Sequence, residues 1–205
     1  MPTAGLKAAL EKDEGTVTDD HPFLQPPRSH FETFLVYAGA NPEDPVIPMD
    51  GSHIATRVVG LLPSSRGTVT LASNNAADDP IIDPNYYATE ADRYVIRNGL
   101  KVLSKMLLKT EEGRAFVECE TTPAEFDPIS ERTSDAEIDR RVAKVGDTLY
   151  HPAGTAAMGK VVDADLKVYG VERLRVVDAS VIPMPIAAHY QACVYALAEQ
   201  AADII

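Results

Sequence analysis

Tyr150-His-Pro-Ala-Gly-Thr-Ala-Ala-Met-Gly159, Leu174-Arg-Val-Val-Asp-Ala-Ser-Val-Ile-Pro183 and Ala187-Ala-His-Tyr-Gln191 lie close together near the C-terminal end, and the rest of the chain is read outward from them. Two of the five histidines sit here, His151 and His189, each beside small residues that leave an imidazole room to meet a ligand. Histidine is the side chain whose proton affinity lies nearest neutral pH, which makes His151 and His189 the candidate acid/base pair. Residues 174–177 are apolar apart from Arg175, the pattern of a short strand covered on both faces. Ligands of α/β sheets sit beyond such strand ends, so Asp178 is expected at the mouth of a site. Residues 180–185 then form a stiff, proline-bearing connection to His189, at the head of a final helix running from about Tyr190 to Ile205. The amides at that helix start present partial positive charge to an electron-rich or anionic ligand edge.

Upstream, residues 1–30 read as an irregular lead-in with one weak helical patch at 6–12 and a proline-rich run at 22–27. Residues 31–37, 53–62 and 67–73 have strand character, and in the third Val69 and Leu71 alternate with threonines. The strands before residue 72 are expected to pair as one antiparallel sheet. Residues 39–51, with prolines at 42, 45 and 48, form a loop; 74–84 form a turn-rich crossing anchored by Ile81 and Ile82. The spacing of Val95, Ile96, Leu100, Leu103, Met106 and Leu107 predicts the longest helix over 90–108, capped by Thr89. Ser134 with Glu137 three residues on predicts a second helix to Val145, and a short strand is expected at 115–117. The fold class is α+β: an antiparallel sheet with flanking helices, then a final strand and helix.

A chain of 205 residues with 45% apolar and 24% charged content can bury a core. The net charge of −12 argues against nucleic acid and against an anionic membrane, which need a basic face. Two cysteines, Cys119 and Cys193, make neither a disulfide framework nor a zinc site, and are expected as free buried thiols; no metal is expected. The N-terminal residues lack a signal-peptide core and no run approaches a membrane span, so the sequence as written reads as cytoplasmic. Gly154-Thr-Ala-Ala-Met-Gly-Lys160 matches the start of a Walker A loop, but Val161 stands where a magnesium-binding Ser or Thr is needed, and the match is read as chance.

Taken together, His151 to Gly159, residues 161–183, the Ala187–Gln191 turn and the closing Ala-Leu-Ala-Glu-Gln-Ala-Ala-Asp-Ile-Ile205 resemble the C-terminal end of the glucose-methanol-choline (GMC) oxidoreductases, in look most like fungal aryl-alcohol oxidases. Pro63-Ser-Ser-Arg-Gly-Thr-Val-Thr-Leu71 and Pro80-Ile-Ile-Asp-Pro-Asn-Tyr86 resemble the same family's substrate domain, in the same order. The resemblance implies a C-terminal substrate and catalytic domain over 31–205, of which about 148–205 packs on an FAD domain. It implies FAD as cofactor and, as substrate of an alcohol oxidase or dehydrogenase, a small alcohol, aryl or allylic, or a secondary metabolite. His151 and His189 match the family's active-site pair facing the flavin ring; Asp178, Ala179, Tyr190 and Gln191 match positions that touch FAD. Tyr190 departs from the threonine or asparagine expected after this histidine, which bears on the substrate pocket.

No two of the twelve glycines are separated by a single residue, so the G-x-G-x-x-G cradle for the FAD pyrophosphate is not in this sequence. The expectation is therefore the C-terminal part of a longer enzyme, or a short protein that kept the substrate half. The surfaces around Val176 and the last helix then call for a rearranged monomer, a homo-oligomer or a separate FAD-domain chain. The alternatives to an oxidoreductase are a flavin-free two-histidine acid/base catalyst of cyclisation, dehydration or isomerisation, and an inactive truncated product.

Overall fold

The structure, a computed structural model, describes residues 3–37, 39, 41 and 43–205, so Pro42 of the expected loop lies outside the described residues. It divides into two compact units, residues 1–60 with 89–147, and residues 61–88 with 148–205.

The first unit holds helix α1 (Thr3–Glu14), antiparallel strands β1 (Phe31–Val36) and β2 (Ala55–Gly60), and helices α2 (Glu90–Lys109), α3 (Glu111–Arg114) and α4 (Asp135–Val145). The two strands pair in register from Phe31↔Gly60 to Val36↔Ala55. The predicted caps form: Thr89 accepts the Asp92 amide at the start of α2, and Ser134 accepts the Glu137 amide at the start of α4. Asp13 of α1 adds a second cap, its carboxylate accepting the Glu90 and Ala91 amides at 2.8 Å each. Leu6, Leu10, Val17, Ala91 and Val95 form the core between α1 and α2, with Phe23, Leu24, Phe31 and Tyr94 against it. Gly99 lets α2 lie close on the sheet, since a Cβ there would stand 2.5 Å from a Val58 methyl. Buried Arg97 joins α2 to α4: Nε donates to Asp139 at 2.7 Å and Nη1 to Glu90 at 2.8 Å. A buried guanidinium is tolerated because its fork is met by carboxylates.

Several expectations are corrected here. Residues 1–30 are not irregular throughout: α1 extends the weak patch to twelve residues because Leu6, Ala9 and Leu10 find a buried face on which to pack. Residues 115–117 form no strand; Ala115 and Val117 donate their amides back to α3 and close it as a turn.

The second unit carries strands β3 (Thr68–Thr70) and β4 (Ile81–Asp83) and helix α5 (Gln191–Ile204). β3 pairs with β4 in a separate two-stranded sheet, Val69 opposite Ile82, and does not join β1 and β2. Ile81 and Ile82 pair in that sheet but are 56% and 65% exposed, so the buried anchor expected of them is not formed. The expected final strand at 174–177 is not formed: Arg175 makes one isolated bridge to Lys167, and Leu174 is 48% exposed. An apolar run looks the same whether it enters a sheet or lines one side of a loop core. Here Val176 packs on a cluster of Val162, Leu166, Val181 and Ala201, with Met158, Val168, Leu197 and Ile204 around it. Leu197, Ala201 and Ile204 recur at helical spacing, so this core clamps the C-terminal half of α5. The α+β class holds, with the last helix and without the last strand. Cys119 and Cys193 are free but exposed rather than buried. No helix of the described residues is long and apolar enough to cross a membrane.

Candidate functional site

The site is assembled within the second unit, beginning at Thr148. The Thr148 hydroxyl oxygen accepts the Tyr150 amide at 3.0 Å and the Tyr86 hydroxyl at 3.2 Å. Tyr150 takes a left-handed backbone conformation, φ 60°, which is uncommon for an aromatic residue. The reversal folds the chain so that His151 Nδ1 meets the Leu149 carbonyl oxygen at 2.6 Å. A carbonyl only accepts, so Nδ1 carries the hydrogen and the Nε2 lone pair is left as a proton acceptor. Pro152 keeps His151 out of the helical region and on the loop.

The loop after His151 is zipped to the residues after Asp178. The amides of Gly154, Ala156 and Met158 donate in turn to the carbonyls of Ala179, Ser180 and Val181, at 3.3, 2.9 and 2.9 Å. Gly154 is at φ 82°, and a Cβ there would lie 3.2 Å from the Ile182 carbonyl oxygen, so the ladder needs glycine at this position. Residues 179–181 form a single 3-10 turn capped by Asp178, whose carboxylate accepts the Ser180 amide at 2.8 Å. Hydrogen bonds from Ser180, side chain then backbone, hold that carboxyl below the usual carboxylate range. Asp178 is exposed, Ala179 half-buried.

From Val181, buried in the core, the chain runs through Pro183 and Pro185 to His189, in a loop one residue ahead of Tyr190. The His151 and His189 rings stand 5.0 Å apart between centroids, at 77°, and the Tyr190 ring is 5.5 Å from His151 at 53°. Residues 152–188 intervene, yet the ladder and the Val181 anchor bring both histidines to one place. Burial pushes the Tyr190 phenol up, with the Ile186 backbone amide working against it. Tyr190 is the N-cap of α5 and makes no side-chain cap bond, so the first-turn amides of Gln191, Ala192 and Cys193 have no capping side chain. Gln191 is exposed.

Of the residues singled out in the sequence, His189 and Tyr190 both stand against the His151 ring, Ala179 is tied to the His151 loop by the ladder with Asp178 capping its turn, and Gln191 opens α5. The sequence reading missed Leu149 and Tyr150, whose contribution is backbone conformation and leaves no trace in side-chain pattern beyond the His-Pro pair. Residues 154–160 are a succession of turns that leads into no helix, so no phosphate loop forms there. Among the described residues no group of three or more His, Cys, Asp or Glu is arranged to hold a metal ion.

The second unit thus joins the HPAGT loop, the VVDAS turn and the histidine before the last helix in one place. The family model described as GMC oxidoreductase matches residues 63–198. The chain is 45% identical over 206 aligned residues to the GMC-type oxidoreductase acuG of Aspergillus aculeatus, covering 100% of this chain and 39% of that relative. A variant of formate oxidase from Aspergillus oryzae, in a structure concerned with FAD modification, superposes with a TM-score of 0.78 at 32% identity, covering 98% of this chain and 35% of that one. A fungal aryl-alcohol oxidase superposes with a TM-score of 0.57 at 32% identity, covering 73% of this chain and 25% of that one. This chain belongs to the GMC oxidoreductase family, and spans about two fifths of the length of the curated relative, 39%.

Proposed function

We propose that this chain supplies the proton-handling and substrate-facing part of an FAD-dependent alcohol oxidoreductase acting on a small alcohol, aryl or allylic. The observation that carries the reading is the His151–His189 pair, 5.0 Å apart, with His151 Nδ1 committed to Leu149 and Nε2 left as acceptor. The open start of α5, where Tyr190 and Gln191 stand, suits the electron-rich edge of a flavin ring, and Asp178 and Ala179 match family positions that touch FAD. The pyrophosphate half does not fit residues of this sequence, which holds no G-x-G-x-x-G, so it is held by an FAD domain outside it.

FAD, when bound, supplies the hydride acceptor. His151 Nε2 takes the alcohol proton, and His189 hydrogen-bonds the same oxygen and orients it. An aryl substrate is supported by the likeness to the fungal aryl-alcohol oxidase. An FAD-domain surface, or a second copy of this chain, covers the apolar groups left outside the unit, among them Leu174 and Tyr195, the latter 66% exposed.

A second reading is favoured by one observation: both histidines lie in one unit of a sequence without the pyrophosphate cradle. On it, the same pair moves protons without flavin, in a cyclisation, dehydration or isomerisation. The two readings separate on a flavin spectrum. The protein is mixed anaerobically with FAD, with and without an FAD-domain chain of the family, and given benzyl alcohol. Loss of the oxidised flavin band supports the oxidoreductase; a band unchanged over many alcohols and both mixtures overturns it.

A further inference from the structure

The His151 imidazole has one fixed hydrogen bond, from Nδ1 to the Leu149 carbonyl. That bond fixes the tautomer only while the ring keeps its place: a swing about the Cβ–Cγ bond breaks it, releases the tautomer and moves Nε2 off any fixed target. Two other rings flank the imidazole. His189 is exposed on a loop, whereas Tyr190 is half-buried and heads a helix whose far half is clamped by Leu197, Ala201 and Ile204 in the core. Tyr190 is thus the anchored neighbour of His151.

From this geometry we infer that Tyr190 is a positioning residue for His151: its ring, held 5.5 Å away at 53°, blocks the swing and sets where Nε2 points. The role differs from the flavin contact implied by family resemblance, and needs no cofactor to be present. Its consequence for turnover rests on the acid/base reading of the histidine pair. Misplacing a reacting group by about 1 Å can cost ~10²-fold in rate, so a phenol that touches no reacting atom is enough to set a large part of kcat.

The test is made first on the 205-residue chain alone. Long-range ¹H–¹⁵N spectra of the imidazoles are recorded for the parent, Tyr190→Phe, Tyr190→Leu and Tyr190→Ala, with far-UV circular dichroism as the check on folding. The expected result is a single Nδ1–H form for His151 in the parent and in Tyr190→Phe, and exchange-broadened or mixed-tautomer signals in Tyr190→Leu and Tyr190→Ala. In the flavin-reduction assay, Tyr190→Leu should lose about 10- to 10²-fold in kcat with KM changed less than about threefold, and Tyr190→Phe should recover most of it. Unchanged His151 signals and unchanged kcat in a folded Tyr190→Leu overturn the positioning role. That outcome leaves the histidine pair standing if His151→Ala is still inactive. Mixed tautomers in Tyr190→Leu together with full activity in His151→Ala uphold the positioning role while sinking the acid/base reading.

Discussion

His151 Nδ1 lies 2.6 Å from the carbonyl oxygen of Leu149, two residues earlier, and the residue between them, Tyr150, is left-handed at φ 60°. The backbone reversal and the imidazole tautomer are therefore one feature. A left-handed conformation costs a non-glycine residue roughly 1–2 kcal/mol, and such strain collects at functional sites.

Tyr150→Ile should destabilise the chain by about 1–2 kcal/mol, because a β-branched side chain tolerates φ 60° less well than tyrosine. Tyr150→Gly should change stability by less than about 1 kcal/mol, since relief of strain and added unfolded-state freedom oppose each other. Urea unfolding of the two variants reads both effects. A Tyr150→Ile as stable as the parent would mean that the reversal at 150 is not held in solution.

Asp178 caps its turn in the ionised form, and hydrogen bonds from Ser180 depress its pKa. A depressed folded pKa gives stability that is present above the unfolded carboxyl value and lost as pH falls through the folded one. Asp178→Asn should therefore cost only about 0.5 kcal/mol at pH 7, since asparagine still caps the turn and solvent screens the exposed charge. The difference between variant and parent should shrink steadily as unfolding is measured from pH 5 downward. A gap that widens toward acid would contradict the ionised cap.

Leu10 is 0% exposed in the core that α1 makes with α2. Leu10→Ala should cost about 2–4 kcal/mol in chemical unfolding, as a buried leucine truncation does. A cost below about 0.5 kcal/mol would return residues 1–30 to the irregular state that the sequence suggested.

Helices α2 and α4 were legible because each announces itself twice, by apolar spacing and by a cap residue that makes the predicted bond. α1 was only half legible, since its stability comes from the face it buries and from Asp13 reaching Glu90 and Ala91, neither visible in a local window. The run 174–177 misled because alternation was absent and burial by a loop core gives the same apolar string as burial in a sheet. Pairing of β3 with β4 was missed for the related reason that three-residue strands carry too little pattern to declare a partner. At the site, His151 and His189 stood out by motif. Leu149 and Tyr150 could not, because a carbonyl direction and a positive φ are properties of the backbone.

The proposed function requires His151 and His189 to act on one substrate oxygen. The most direct measurement is anaerobic stopped-flow reduction of bound flavin by benzyl alcohol, comparing the parent with His151→Ala, His189→Ala and His53→Ala, each first shown to be folded. Removing a general acid or base typically costs ~10²–10⁴-fold. A loss in that range is expected for His151→Ala and His189→Ala, with at most a modest change in the alcohol concentration for half-maximal rate, and a near-silent His53→Ala. Near-parental rates in both His151→Ala and His189→Ala would contradict it and leave the pair a structural contact.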